Sequence, residues 1–309
     1  MSLYGIVVLG TRGSRLALAQ ANSCAERLRT SGLAVEVRII RTTSDHHPDL
    51  PLSVIDRRDV FTRQLDEALL SGEIDLAIHS LKDVPTGLPE GISLAAITER
   101  HDPSDVLVSN ESYDVEGLPQ GAVVATSSLR RRAQILHRRP DLRVVEIRGN
   151  VDTRVRKMSA GVADAVVLAR AGLERLGLSQ RVPHTVIPDD LMLPAVGQGS
   201  LAAATRVDHP LRDRIREILN HTESERAALA ERAMLRTLEG GCRVPVGAWG
   251  TVEDDVIRLR GVVASPDGAL LYREEVEGGE AEEVGERLAR ELLDRGAAVV
   301  LGEIREVRR

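Results

Sequence analysis

Two rhythms of apolar and polar positions repeat along the chain. The apolar run at 6–9 predicts a buried strand, and after Ser14 the residues Leu18, Ala21, Cys24, Ala25 and Leu28 recur on one helical face. A strand over 35–40, a helix from about 61 to 70 and a strand over 75–79 continue the alternation. Strands alternating with helices predict a mostly parallel sheet, hence a first α/β domain. After Asp102 and Pro103 the grammar restarts, with strands at 106–108, 123–125, 143–147 and 165–168 and helices after Ser128, Val151 and Arg170. That is a second α/β domain. From Glu223 a helix with Ala227, Ala230, Met234 and Leu238 on one face precedes strands at 257–264 and 270–276 and a helix over 281–295. This third part reads as a smaller α+β domain. The apolar run at 201–204 is expected to return to the first sheet, so the predicted domains are 1–100 with 198–219, 101–197, and 220–309.

The segment 44–59 follows neither rhythm. It carries His46, His47, Pro48 and Pro51, and a long irregular stretch in a compact domain predicts a mobile lid over a site. The adjacent histidines have no carboxylate or cysteine at ligand spacing, so no metal is expected.

Composition narrows the classes. A length of 309 residues suits two or three domains. Cys24 and Cys242 cannot build a disulfide framework, Cys24 has a core explanation, and the first ten residues lack a secretory pattern, which predicts a cytoplasmic protein. No apolar stretch approaches the roughly 20 residues of a membrane span, so no membrane role is expected. A net charge of −6, with one Phe, one Trp and three Tyr, argues against a nucleic-acid binder. The predicted state is a monomer.

Candidate chemistry gathers at four places. Cys242 sits in the turn Gly240, Gly241, Cys242, Arg243, Val244, Pro245, where glycines strip bulk from around the thiol and Arg243 favours the thiolate. Taken alone, this segment fits either a small buried side chain or a reachable nucleophile. Between Thr126 and Lys157 lie ten basic residues against three acidic ones. Arg138, Arg139 and Arg156 read as a solvated face. Arg130 and Arg131 differ, because they open a helix after Thr126, Ser127 and Ser128 at the carboxyl end of a strand, where open α/β sheets bind ligands. Hydroxyls, free amides and guanidinium forks suit carboxylates or phosphates. Arg148, Gly149, Asn150 and Arg154 occupy the next such position, and Arg12, Gly13 and Ser14 the one in the first domain. The run from His79 to Pro85 ends another strand; Lys82 beside Asp83 fits a surface ion pair or a carboxylate that handles protons among cations.

Together these residues resemble one family. The run His79–Pro85, the run Thr126, Ser127, Ser128, Leu129, Arg130, Arg131, the residues 148–151 with Thr153 and Arg154, the run 193–199, and residues 231–233 with 239–245 are similar to the hydroxymethylbilane synthases, also called porphobilinogen deaminases. The resemblance implies two periplasmic-binding-protein-like α/β domains with a cleft between them and a smaller C-terminal α+β domain. It also implies a transferase of tetrapyrrole (haem) biosynthesis. Its dipyrromethane cofactor would hang by a thioether from Cys242, and four porphobilinogen molecules would be condensed on it with loss of ammonia. By the same resemblance Asp83 is the catalytic carboxylate. Lys82, Ser80, Thr126, Ser127, Ser128, Arg130, Arg131, Arg148, Gly149 and Arg154 would bind the cofactor; Arg12, Ser14, Arg175 and Gln198 would bind substrate. Arg232 would lie near the attachment. One departure stands out: members commonly have Lys-Gly-Leu-Phe where this chain has Arg58, Asp59, Val60, Phe61, which puts loop movement there in question. The alternative reading is a solute-binding protein for a small polycarboxylate, which would need neither the third domain nor Cys242.

Overall fold

The computed structural model describes residues 5–41, 62–238 and 244–306, with side chains as far as 303. The chain forms two compact units, Met1–His101 with Gly199–Glu225, and Asp102–Gln198 with Arg226–Arg309. The turn holding Cys242 and the segment 44–59, with Arg58, Asp59, Val60 and Phe61, lie outside the described residues.

In the first unit, β1 (Val7–Thr11), β2 (Val35–Ile39), β3 (Leu76–Ser80), β4 (Ile92–Ile97) and β10 (Leu201–Arg206) form one sheet in the order β2-β1-β3-β10-β4. β1 pairs in parallel with β2 and β3, while β10 runs antiparallel between β3 and β4. Four strands therefore point one way and only β10 is reversed. The apolar run 201–204 thus lies in the first sheet. The helices α1 (Arg15–Thr30), α2 (Arg63–Leu70) and α6 (Arg212–Leu219) cover it.

α1 starts where Ser14 Oγ accepts the Ala17 N–H at 3.2 Å. Its buried face holds Ala21, Cys24, Ala25 and Leu28, as the spacing predicts, but Gln20 takes the buried place expected of Leu18. The reason is polar: Gln20 Nε2 donates to Ser80 Oγ at 2.8 Å, so its amide is satisfied inside.

The second unit repeats this design. Its first sheet is ordered β7-β6-β8-β5-β9, from β5 (Asp105–Ser109), β6 (Val123–Ala125), β7 (Arg143–Val145), β8 (Ala165–Ala169) and β9 (His184–Val186). β6 is parallel to β7 and β8, and β5 is the one reversed strand. In each sheet the reversed strand, β10 or β5, is the first strand after the chain changes unit. The helices α3 (Leu129–Arg138), α4 (Val151–Ser159) and α5 (Arg170–Arg175) each follow a strand of this sheet. Their first residues consequently sit at strand carboxyl ends.

The rest of the second unit is an antiparallel meander of β11 (Val246–Glu253), β12 (Val256–Ala264) and β13 (Leu271–Gly278), packed under α8 (Ala281–Leu292), α9 (Ala298–Glu306) and, from Arg226 onward, α7 (Thr222–Thr237). Ala227, Ala230, Met234 and Leu238 of the α7 stretch are all buried, as their spacing predicts. α7 and α8 approach closely at Gly285, where a Cβ would stand 2.3 Å from the Ala230 carbonyl oxygen. The class is therefore mixed α/β with two like sheets and a smaller C-terminal sheet and helices.

Candidate active site and carboxylate-binding residues

In the first unit the strand ends of β1 and β3 deliver one small cavity. β1 runs into Arg12 and Ser14, and β3 into a single 3₁₀ turn, Leu81–Asp83, that closes with Val84 N–H donating to Leu81 O at 3.0 Å. Pro85 cannot supply the N–H that would extend this turn. The turn is held to the sheet because Leu81 N–H donates to Ser200 O at 3.0 Å. Arg12, Ser14, Gln20, His79, Ser80 and Asp83 line a cavity of about 70 Å³. Asp83, Lys82 and Arg12 are each half-buried. Lys82 is not among the residues that line the cavity, although it adjoins Asp83.

Sequence reasoning did not single out the side chains of Gln20 and His79. Their signal was available: both are polar residues on elements whose other faces are apolar. His79 is buried on β3, and burial is the main reason its pKa falls from 6.5 to about 4; Asp83 opposes the fall and Arg12 adds to it. The imidazole is neutral near pH 7. Asp83 is thus the cavity's carboxylate, set beside a fixed cation and a neutral ring.

In the second unit the hydroxyls after β6 are tied locally. Ser127 Oγ donates to Ile147 O at 2.6 Å, Ser128 N–H donates to Thr126 Oγ1 at 3.2 Å, and Ser128 Oγ caps α3 by accepting the Arg131 N–H at 3.4 Å. These bonds fix the strand-to-helix turn. Arg130 and Arg131 turn inward, at 5% and 6% exposure, onto the fully buried Asp105. Arg130 Nη2 lies 2.7 Å from Asp105 Oδ2 and Arg131 Nη2 2.8 Å from Oδ1. The other Nη atoms donate to Leu193 O at 2.6 Å and Val167 O at 2.8 Å. Gln198, also buried, donates from Nε2 to Pro103 O at 2.6 Å and to Asp105 Oδ1 at 2.9 Å. Burial alone would push the Asp105 carboxyl up; the two guanidiniums and these hydrogen bonds outweigh it and hold it well below the usual range.

After β7, Gly149 adopts φ +110°, a left-handed value that suits glycine, and there a Cβ would stand 2.6 Å from Thr153 Cγ2. Arg154 Nε donates to Gly149 O at 2.8 Å and Lys157 Nζ to Arg148 O at 3.2 Å, so this turn is bound to α4 along the helix's length. Arg148, Arg154 and Arg175 are half-buried. Arg232, on α7, is 6% exposed, and burial with the nearby Arg236 lowers its pKa to about 10, so it keeps its charge. Among the described residues no cluster of His, Cys, Asp or Glu could hold a metal ion, and no helix is long and apolar enough to cross a membrane.

In each unit, cations and hydroxyls stand at the strand ends of an α/β sheet, groups of the kind that suit carboxylate-bearing small molecules. The comparisons with known proteins show the family. Residues 7–213 match the family model "Porphobilinogen deaminase, dipyromethane cofactor binding domain", and residues 226–294 match "Porphobilinogen deaminase, C-terminal domain". A porphobilinogen deaminase of Rubrobacter xylanophilus is 67% identical, over 99% of this chain and 100% of its own length. One from Pelotomaculum thermopropionicum is 48% identical over 98% of each chain. Among solved structures, a periplasmic substrate-binding protein of an ABC transporter from Coxiella burnetii is 15% identical, with a TM-score of 0.41 over 69% of this chain and 91% of that one. That likeness is too slight to build on. On its sequence relatives the chain belongs to the porphobilinogen deaminase family. It is accordingly a transferase of tetrapyrrole biosynthesis, with hydroxymethylbilane synthase activity and a dipyrromethane cofactor.

Proposed function

We propose that Asp83 carries the chemistry of this activity, the stepwise head-to-tail condensation of four porphobilinogen molecules with release of ammonia. The observation that bears most weight is the placement of Asp83 with Arg12, Ser14 and Gln20 around one cavity. The residues there fit a pyrrole bearing acid groups: a guanidinium and hydroxyls for its carboxylates, and a carboxylate to accept its ring N–H. When bound, the dipyrromethane group supplies the nucleophilic pyrrole carbon.

In each round the C–N bond of the substrate's aminomethyl group breaks, ammonia leaves, a C–C bond forms and one ring proton is lost. Asp83 accepts a hydrogen bond from the substrate's pyrrole N–H, which stabilises the positive charge that develops as ammonia leaves. Its carboxylate then serves the departure of the ring proton. Arg12 and Ser14 hold substrate carboxylates. Lys82, Ser80, Thr126, Ser127, Ser128, Arg148, Gly149 and Arg154 hold the cofactor, with Arg130 and Arg131 as the buried part of that set; Arg175 and Gln198 serve the substrate. Cys242 carries the thioether, and Arg232 serves the attached cofactor.

Three domains carry this activity, 1–100 with 198–219, 101–197 and 220–309. This division is supported by three separate sheets and by an apolar core shared by β11 to β13, α7 and α8. A cytoplasmic monomer completes the reading, in keeping with only two cysteines. The alternative of a solute-binding protein for a small polycarboxylate is not favoured, since both family models cover the chain as a deaminase. Asp83→Asn tests the assignment: it should keep the fold and the cofactor and lose nearly all turnover. Wild-type turnover would remove Asp83 from the mechanism.

A further inference from the structure

Asp105 is a fully buried carboxylate that the chemistry above does not use. It opens β5 and receives three side chains at once, from Arg130 at 2.7 Å, Arg131 at 2.8 Å and Gln198 at 2.9 Å. Each guanidinium is pinned a second time by a carbonyl, Leu193 O or Val167 O, so neither fork is free to swing. Gln134 extends the lock, accepting the Leu193 N–H at 2.9 Å and donating to Leu193 O at 3.1 Å. Burying such ions is costly, and apolar side chains of similar volume would hold this helix start as well or better. The arrangement is intelligible if the arginines are wanted there for their charge. Two guanidiniums facing one carboxylate leave a single positive charge in excess, at the start of α3.

We propose that Asp105 is a positioning residue for carboxylate recognition: it clamps Arg130, Arg131 and Gln198 in one orientation and cancels one of the two positive charges they would otherwise present. The proposal rests on the reading that Arg130 and Arg131 serve the carboxylates of cofactor and substrate. An oriented fork with modest net charge holds an acidic pyrrole in one pose. Doubling the net charge while loosening the forks would sacrifice that pose.

The test compares full-length Asp105→Asn, Arg131→Gln and Leu118→Ala, the last a cut into the apolar core of the same sheet. Intact mass gives the fraction of chains carrying the dipyrromethane adduct. KM and kcat for porphobilinogen are measured well below each unfolding midpoint. Asp105→Asn should lower the adduct fraction severalfold or raise KM about tenfold, as removal of a residue that orients a ligand group does. Leu118→Ala, though less stable, should keep wild-type values for both. Normal adduct and KM in Asp105→Asn with impaired Arg131→Gln would overturn the role of Asp105 and leave the arginine reading standing. Normal values in both variants would overturn the arginine reading itself. Should Asp105→Asn not fold, Asp105→Glu keeps the charge but displaces it by one methylene. A raised KM there supports the clamp, and wild-type adduct and KM refute it.

Discussion

Replacing His79 by glutamine should remove a defined part of the protein's acid sensitivity. The folded pKa of His79 is about 4 against an ordinary 6.5, chiefly because burial disfavours the imidazolium. Below pH 6.5 the unfolded chain takes up a proton that the folded chain refuses. The contribution of His79 to stability is therefore complete above pH 6.5 and falls as the pH drops toward 4. The whole span corresponds to about 3 kcal/mol, of which about 2 kcal/mol is already lost at pH 5. Glutamine keeps a polar side chain of similar reach but does not titrate. Urea unfolding of both proteins at pH 8 and pH 5, at equal cofactor content, isolates the effect, because every other titrating group is common to the two. Between the two pH values the wild-type midpoint should fall about 1 M further than that of His79→Gln. Equal falls would show that His79 is not a buried neutral group, and the electrostatic picture of the cavity would go with it.

Asp83→Asn should lower kcat by about 10²- to 10⁴-fold, the usual worth of a positioned acid–base group, with adduct mass and unfolding midpoint unchanged. Gly285→Ala should destabilise the packing of α7 on α8, since the new methyl would meet Ala230 O at 2.3 Å and Ala233 Cβ at 2.6 Å. A loss of about 1–3 kcal/mol in chemical unfolding is expected, exceeding the roughly 1 kcal/mol that alanine gains in helix propensity. An unchanged or raised midpoint would refute the close approach.

Much of this fold was legible in the sequence because strands buried on both faces read as short apolar runs. β3, β8 and β10 were found that way, and α1 and α7 by their spacing. What was missed has physical causes. β11 carries Gly247 and Gly250 in its interior, residues that read as turn; they are there because a Cβ at 247 would stand 2.9 Å from Leu193 O, and one at 250 3.0 Å from Ala227 O. β9 has three residues, too few to show a period. The turn that holds Asp83 was legible because Lys82, Asp83 and Pro85 end an apolar run. The partners of the arginines were not: Asp105 precedes Arg130 by 25 residues and reads as an ordinary acidic residue at the edge of a strand. Only folding brings the three charges together and turns Arg130 and Arg131 inward. Gln20 was hidden for a related reason, since a buried amide looks like a surface residue until its bond to Ser80 is seen.

The central claim is that a cysteine sulfur holds the primer on which porphobilinogen is assembled. Intact-mass measurement of the purified chain tests it most directly: the wild-type protein should carry the added mass of two linked pyrrole units, and Cys242→Ala should carry none. An active wild-type chain of unmodified mass, or an adduct that survives Cys242→Ala, would contradict it.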